Sequence, residues 1–532
     1  MTQRLLASAA VLALSTGAAS AEFTLNVLHI NDFHSRIEPV NKFDSTCSAD
    51  EAAANECFGG VARLAPKIRA LRDGLTAAGE AVIMLDAGDQ SQGSLMFTTY
   101  KGEAEADFMA AIGFDVMALG NHEFDNGPEG VIPFLDRAKV PVISGNIDVS
   151  QNNLLKGRVQ NHVVLEAGGR KVGIVSALAT DTPESASPGP TILFQDEIDS
   201  LKADVAALEA EGVNHIIALT HVGFTHDLRI AEQVPGIDAV VGGHSHTYLS
   251  ATDPKRHGAY PTWVSQPDGA MVPVVQAYAY GKYLGHLRLT FDDAGNLVYA
   301  DGNTILLDSA VTPDPEIEAQ VAKLAGPLEE VRARVVAEAT AEIDGARETC
   351  RAQECAMGNL VAEAMLDRVK GQGVTIAIAN GGGLRASINA GPVTMGEVLT
   401  VLPFQNTLST FEVDGATVVA ALENGVSQVE EGAGRFPQVA GLKYSFDPAQ
   451  PPGARISEVM VRDGDGWAPI DRVATYGLVS NNYVRGGGDG YKMFVDAANA
   501  YDFGPDLADV TAEYMARIGP YAPALDGRIT RK

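Results

Sequence analysis

Positive charge is scarce in this chain. Its 532 residues carry 39 Lys and Arg against 68 Asp and Glu, a formal net charge of −29. Such a surface repels polyanions, which excludes a nucleic-acid polymer as partner; a small anion still binds where metal ions or a few Arg reverse the sign locally. Long apolar runs are also missing after the N-terminus, so no later segment reads as a membrane span. The C-terminal stretch from Asp526 to Lys532 offers no lipid-anchor tail, so no membrane anchor is expected. Internal repeats and long low-complexity tracts are absent as well. Cysteine is limited to four residues in two local pairs, Cys47 with Cys57 and Cys350 with Cys355. Neither pair has the two-residue gap of a zinc site, and the clustering favours two short disulfide loops.

What is present begins with an address. Arg4 supplies positive charge, residues Leu5 to Leu14 are largely apolar, and Ala19-Ser20-Ala21 makes a small-x-small cleavage site. Residues 1–21 therefore read as a signal peptide, with a mature start at Glu22 and a periplasmic or secreted destination, where disulfides persist.

An apolar fraction of 46% indicates a folded chain, and its length predicts two domains rather than one. From Phe23 to about Ile305, short apolar runs end in clusters of Asp, Asn, His or Gly, often followed by a helical stretch. The runs are Leu25 to Ile30, Ala81 to Leu85, Val116 to Leu119, Val140 to Ile143, Val172 to Val175, His215 to Leu219 and Ala239 to Val241, with helices such as Val61 to Ala78 and Glu197 to Glu211 between them. This alternation predicts an α/β layered domain, whose ligands bind at the carboxyl ends of the strands. Pro313 to Thr340, rich in Ala, Glu, Val, Leu and Arg, predicts one long or broken helix linking to a second unit from Ala341 to Lys532.

Five clusters follow the N-terminal strands: Asn31-Asp-Phe-His34, Asp86-Ala-Gly-Asp-Gln90, Gly120-Asn-His-Glu-Phe-Asp125, Thr220-His221 and Gly243-His-Ser-His246. Singly each is ordinary, since Asp-Gly is usually a turn and a strand-end His is usually a core residue. Together they hold five of the 11 His in the chain. Asp32 and His34, like His244 and His246, are two apart, so extended backbone points both side chains one way. Mixed carboxylate, imidazole and amide ligation suits Zn, Mn, Co or Fe, and about seven ligands are natural for two ions sharing a carboxylate.

These residues resemble the calcineurin-like metallophosphoesterases and, more closely, the 5′-nucleotidase family, across nearly all of the mature chain. The resemblance implies an N-terminal four-layer α/β metallophosphoesterase domain (22–312), a helical hinge (313–340) and a C-terminal α+β substrate-binding domain (341–532). It implies two divalent ions, Zn, Mn or Co. One is held by Asp32, His34, Asp89 and His246, the other by Asp89, Asn121, His221 and His244, with Asp89 bridging. His246 departs from many close relatives, which have an amide there. Two such cations lower the pKa of a bound water, which attacks phosphorus in line with the leaving alcohol. His122 is the candidate for stabilising the transition state or leaving oxygen, with Asp125 three residues on to orient it; the family implies the same dyad. Glu123, Asp86 and Asn146 are expected to be supporting groups, His29 a core or supporting residue, and His226 and His257 untethered loop residues.

The C-terminal half supplies the substrate end. Arg351 lies inside the Cys350/Cys355 pair, and Asn380 and Arg385 flank a Gly turn where backbone can approach a ligand. By resemblance Phe404 and Tyr483 sandwich the base, Asn380 reads it, Asp489 takes the ribose hydroxyls, and Arg351 and Arg385 take the phosphate. Tyr483 stands where close relatives are often Phe, and Arg485 is read as contacting a longer phosphate chain or only solvent. The expected activity is hydrolysis of nucleoside 5′-monophosphates, with nucleoside di- and triphosphates or UDP-sugars as further substrates. Three alternatives stay open: a 2′,3′-cyclic nucleotide 2′-phosphodiesterase/3′-nucleotidase, a thiosulfohydrolase on the same scaffold, and a periplasmic nucleotide-binding protein without catalysis.

Overall fold

A computed structural model describes residues 22–532 apart from 43, 45, 405, 465, 502 and 503. The expected signal peptide, residues 1–21, lies outside the described residues. In the N-terminal half, one sheet runs in the order Leu297–Leu306, Tyr283–Phe291, Phe23–Ile30, Ala81–Asp86, Val116–Ala118, Val142–Ile143, Val159–Gln160. From Phe23–Ile30 onward its pairs are parallel. A second sheet runs Thr262–Ser265, Met271–Val275, Ala239–Val241, His215–His221, Arg170–Leu178, His162–Ala167.

Alternation along each strand decides the layers. Leu25 and Val27 face the second sheet and share a core with Ile174, Leu219 and Val241. Leu28 and Ile30 face the other way, into helices Val61–Ala77, Glu103–Ile112 and Gly127–Arg137. On the second sheet, Val175, Ala177 and Ile216 turn outward against helices Glu197–Ala210 and Phe224–Gln233. The result is helix, sheet, sheet, helix. Strands covered on both faces must be apolar throughout, which is why the parallel ones stand out in the sequence.

The C-terminal half centres on a five-stranded sheet in the order Pro437–Ala440, Val374–Asn380, Thr475–Asn481, Leu408–Asp414, Ala498–Tyr501. Val374–Asn380 pairs parallel with Thr475–Asn481 and antiparallel with Pro437–Ala440. Helices Ala356–Arg368 and Leu507–Ile518 cover one face and Gly415–Val426 the other, an α+β arrangement.

Between the halves, helix Pro315–Ala325 passes through a 3-10 turn, Gly326–Leu328, into helix Glu329–Ala333. The helical reading of 313–340 fails beyond that point. Val335–Ala339 is a strand paired with Gly391–Thr394, because its Val pair meets an edge it can bond to. Both disulfides form as local loops, Cys47–Cys57 and Cys350–Cys355, with Cα–Cα distances of 5.8 and 5.1 Å. Among the described residues no helix is long and apolar enough to cross a membrane.

Candidate active site

The five clusters converge. Asp32 and His34 leave strand Phe23–Ile30, Asp89 follows Ala81–Asp86, Asn121 and His122 follow Val116–Ala118, His221 ends His215–His221, and His244 and His246 follow Ala239–Val241. All stand at the carboxyl ends of parallel strands. The loops are wound tightly to bring them there. Asp32, His34, Asp89, His244 and His246 take left-handed backbone, with φ of 51°, 50°, 58°, 74° and 53°, so tight loops and not the expected extended backbone bring the Asp32/His34 and His244/His246 pairs together. That region is unfavourable for side-chain-bearing residues and is held here by cross-loop bonds. Asp32 N donates to Gly88 O and His34 N to Asp89 O, each at 2.9 Å. Gly120 has to be glycine, since a Cβ there would overlap the Asp89 carboxylate.

His246 Nε2 lies 3.2 Å from Asp32 Oδ1 and 3.0 Å from His34 Nε2. Asp89 Oδ2 lies 3.2 Å from His221 Nε2 and 3.7 Å from His34 Nε2, so it stands between the two groups. Asn121 Oδ1 is 2.8 Å from His244 Nδ1. Asp32, His34 and His246 form one close group, and Asp32, Asp89 and His221 another, with ligand atoms within 4.8 Å of one another.

Tautomers agree with metal ligation. His34 Nδ1 donates to Ser91 O at 3.2 Å, turning an Nε2 lone pair inward, and His221 Nδ1 donates to Ala87 O at 2.7 Å. Burial lowers the His221 pKa, but Asp89 and Asp32 outweigh it and push it up to about 10, so its Nε2 carries the proton that a cation would displace. His221 Nε2 is buried, and despite Asp89 at 3.2 Å it has no well-aligned hydrogen-bond partner. Burial holds His34, His244 and His246 well below the ordinary imidazole range, so each is a neutral donor. Burial pushes Asp89 up, but His221 and His122 outweigh it and hold the carboxyl well below its usual range. Carboxylates, imidazole lone pairs and an amide oxygen thus meet at one point, a donor set suited to divalent cations.

His122 Nδ1 is 2.8 Å from Asp125 Oδ2, and Gln92 Nε2 donates to the same oxygen at 3.2 Å. Burial alone would lower the His122 pKa, but Asp125 and Asp89 raise it above the ordinary value. Glu123 accepts from Gly120 N, Asp89 N and Ser91 N, and Asp86 from Gly88 N and Gln90 Nε2, tying the loops together. Asn146 bonds Leu178 in the same supporting way, and His29 is a buried partner of Tyr260.

A cleft of about 390 Å³ opens between the two halves, lined by Asp89, Asn121, His122, His244 and His246 on one side and by Arg351, Asn380, Arg385, Phe404, Tyr483 and Asp489 on the other. Arg385 Nη2 sits 3.0 Å from His34 Nε2, and its guanidinium lies 5.6 Å over the Phe404 ring. The Phe404 ring is also 5.6 Å from that of His122, near parallel. Asn380 lines the cleft with two bonds already made: its Nδ2 donates to Asp489 Oδ2 at 2.6 Å and its Oδ1 accepts from Asn481 at 2.9 Å. One N–H and one lone pair remain for a ligand. Burial pushes the Asp489 carboxyl up, opposed by Asn380 and Arg351.

Two readings change. Arg485 is not in the cleft; it bonds Val495 O and lies over Phe411. His226 is not untethered: it belongs to helix Phe224–Gln233, its Nδ1 is 3.1 Å from Glu197 Oε2, and it lines the cleft. His257 remains exposed, its ring edge-on to Phe224. Arg347, absent from the sequence reading, lines the cleft beside His244, whose carbonyl it approaches at 3.4 Å. Its position four residues before Arg351 on a helical turn was the available signal.

Comparison with known proteins matches this geometry. Residues 25–248 match the calcineurin-like phosphoesterase family and residues 335–496 the 5′-nucleotidase C-terminal domain. The chain is 39% identical to the 5′-nucleotidase of Diplobatis ommata over 97% of its length and 91% of that protein. It is 38% identical to the 5′-nucleotidase of Homo sapiens, covering 99% of this chain and 95% of that one. The crystal structure of a 5′-nucleotidase precursor from Thermus thermophilus superposes with a TM-score of 0.90 at 40% identity, over 96% of this chain and 99% of that one. At this identity and coverage the chain belongs to the 5′-nucleotidase family of metal-dependent phosphoric-ester hydrolases.

Proposed function

We propose that the chain is an exported nucleotidase that removes phosphate from nucleoside 5′-monophosphates, using two divalent ions held by Asp32, His34, Asp89, Asn121, His221, His244 and His246. The observation that carries this is a single cleft with metal ligands at one end, guanidinium groups beside them, and Phe404, Tyr483 and Asp489 at the other. When bound, the ions supply Lewis acidity toward the phosphoryl group and toward water.

The chain's own groups do the rest. Arg347, Arg351 and Arg385 bind phosphoryl oxygens, Arg being suited to planar, charge-assisted contact. Asp125 holds His122 by Nδ1 and favours its charged form, leaving Nε2 to give a proton to the departing ribose oxygen. Phe404 and Tyr483 offer faces on which any base can stack. Because both halves line the cleft, the substrate enters when they part, with the 313–340 segment as hinge. Two disulfides support export, as they persist in oxidising compartments. Zn, Mn and Co all suit the donor set, and nucleoside di- and triphosphates and UDP-sugars are secondary substrates.

Thiosulfate has no base for the aromatic end, and a mere binding protein has no need of seven convergent ligands. Phosphate release from AMP, 3′-AMP, 2′,3′-cyclic AMP, UDP-glucose and thiosulfate, with chelator and after adding Mn, Co or Zn, decides among these. Nucleotide binding without phosphate release under any metal overturns the proposal.

A further inference from the structure

One end of the cleft is organised by a phenol. Asp489 takes left-handed backbone, φ 52° and ψ 29°, within the run Gly486-Gly-Gly-Asp-Gly490. Such a conformation in a residue with a side chain persists only when its surroundings fix it. Tyr483 does this twice over. Its hydroxyl oxygen accepts the Asp489 N–H at 3.1 Å, and its O–H faces Asp489 Oδ1 at 3.4 Å. The other carboxylate oxygen accepts from Asn380. Backbone and both carboxylate oxygens of Asp489 are thus held, with the side chain lining the cleft. Gly488 gives the ring its place, since a Cβ there would overlap it.

We propose that Tyr483 is a specificity-determining positioning residue: its hydroxyl fixes the Asp489 carboxylate as a two-point acceptor for the cis-diol of ribose, so that ribonucleotides are taken in preference to 2′-deoxyribonucleotides. This rests on the reading of Asp489 as the residue that meets the sugar. A carboxylate uses about four lone-pair sites, so the two contacts already made leave room for two sugar hydroxyls. A site preorganised for a hydroxyl rejects the analogue lacking it, because the buried acceptor is then left unpaired. A carboxylate free to rotate gives up much of that discrimination. The aromatic face itself is indifferent to the 2′ position, so selectivity and stacking separate on one residue.

The test is Tyr483→Phe beside Asp489→Asn, in the metal-loaded enzyme, with AMP and 2′-deoxy-AMP as substrates and adenosine and 2′-deoxyadenosine as competitive inhibitors. The inhibitors read the sugar contact without any chemistry at phosphorus. In Tyr483→Phe the preference for AMP over 2′-deoxy-AMP falls about tenfold, the scale of one hydrogen bond to a charged group, and the change lies in KM more than in kcat. The adenosine to deoxyadenosine inhibition ratio falls in parallel, while affinity for deoxyadenosine holds because the ring still stacks. If Asp489→Asn abolishes the preference and Tyr483→Phe leaves it intact, the role of the hydroxyl is refuted and Asp489 keeps its own. If neither variant alters the preference, Asp489 does not meet the sugar and both ideas fail together. A fall in affinity for all four compounds alike in Tyr483→Phe also refutes the proposal, since it reports lost stacking instead of lost selectivity.

Discussion

Arg385 reaches across from the C-terminal half to place its Nη2 3.0 Å from His34 Nε2, on the N-terminal half. A guanidinium cannot accept, so this contact fixes His34 Nε2 as the lone-pair nitrogen. The same group lies over Phe404. It therefore touches the histidine cluster of one half and an aromatic ring of the other at once.

Arg385→Ala is expected to raise KM for AMP by about tenfold or more, since hydrogen bonds to charged partners are worth about 1.5–3 kcal/mol. Arg385→Lys recovers part of this, because a point charge replaces a planar fork. Steady-state kinetics of both variants check it; an unchanged KM removes Arg385 from phosphate binding.

His122→Asn is expected to lower kcat by about a hundredfold, the usual scale for one acid–base group. Metal content persists, because His122 meets Asp89 only through its backbone N–H, at 2.9 Å. Elemental analysis beside kcat separates the two effects. Asp125→Asn keeps the hydrogen-bond reach but removes the charge that raises the His122 pKa, so the high-pH limb of the rate profile moves to lower pH.

Stripping the ions with a chelator is expected to abolish phosphate release and lower Tm. A ligand that binds only the native state stabilises it by RT ln(1 + [L]/Kd), about 2.7 kcal/mol at a hundred times Kd. Calorimetry with stepwise Mn or Zn return tests this, and activity and Tm recover together.

Glu105 gives a pH signature. Its carboxyl is fully buried, one oxygen taking a short bond from Ser35 Oγ and the other lacking a partner, and burial pushes its pKa up to about 7. The folded state then keeps a proton that the unfolded chain releases from about 4.5 upward. Stability from this group is complete below about 4.5 and declines as pH rises through 7. The difference in Tm between wild type and Glu105→Gln is expected to shift in favour of the variant between about pH 5 and pH 8. A pH-independent difference contradicts it.

Much of this was readable in the chain because the chemistry sits where a simple pattern stops. A parallel strand buried on both faces is an unbroken apolar run, so Asp32, Asp89, Asn121 and His244 appear as abrupt polar endings. Strands Tyr283–Phe291 and Leu297–Leu306 leave no such signature, since they form the sheet's antiparallel edge, where polar residues interrupt the run. Val335–Ala339 misled by composition: Ala and Glu favour helix, but pairing with Gly391–Thr394 decided otherwise. The His226–Glu197 contact joins distant stretches, which no local window shows, whereas Arg347 lies one helical turn before Arg351 and was within reach of a local pattern.

The ligand loops hang from five strands of two separate sheets, spanning Asp32 to His246. No fragment of the chain shorter than the whole sandwich brings these groups together. With the proposed ligand set, a pair of cations finds its full complement of donors only in a molecule whose two sheets have already closed on each other, and bound metal would then serve as a certificate of completed assembly.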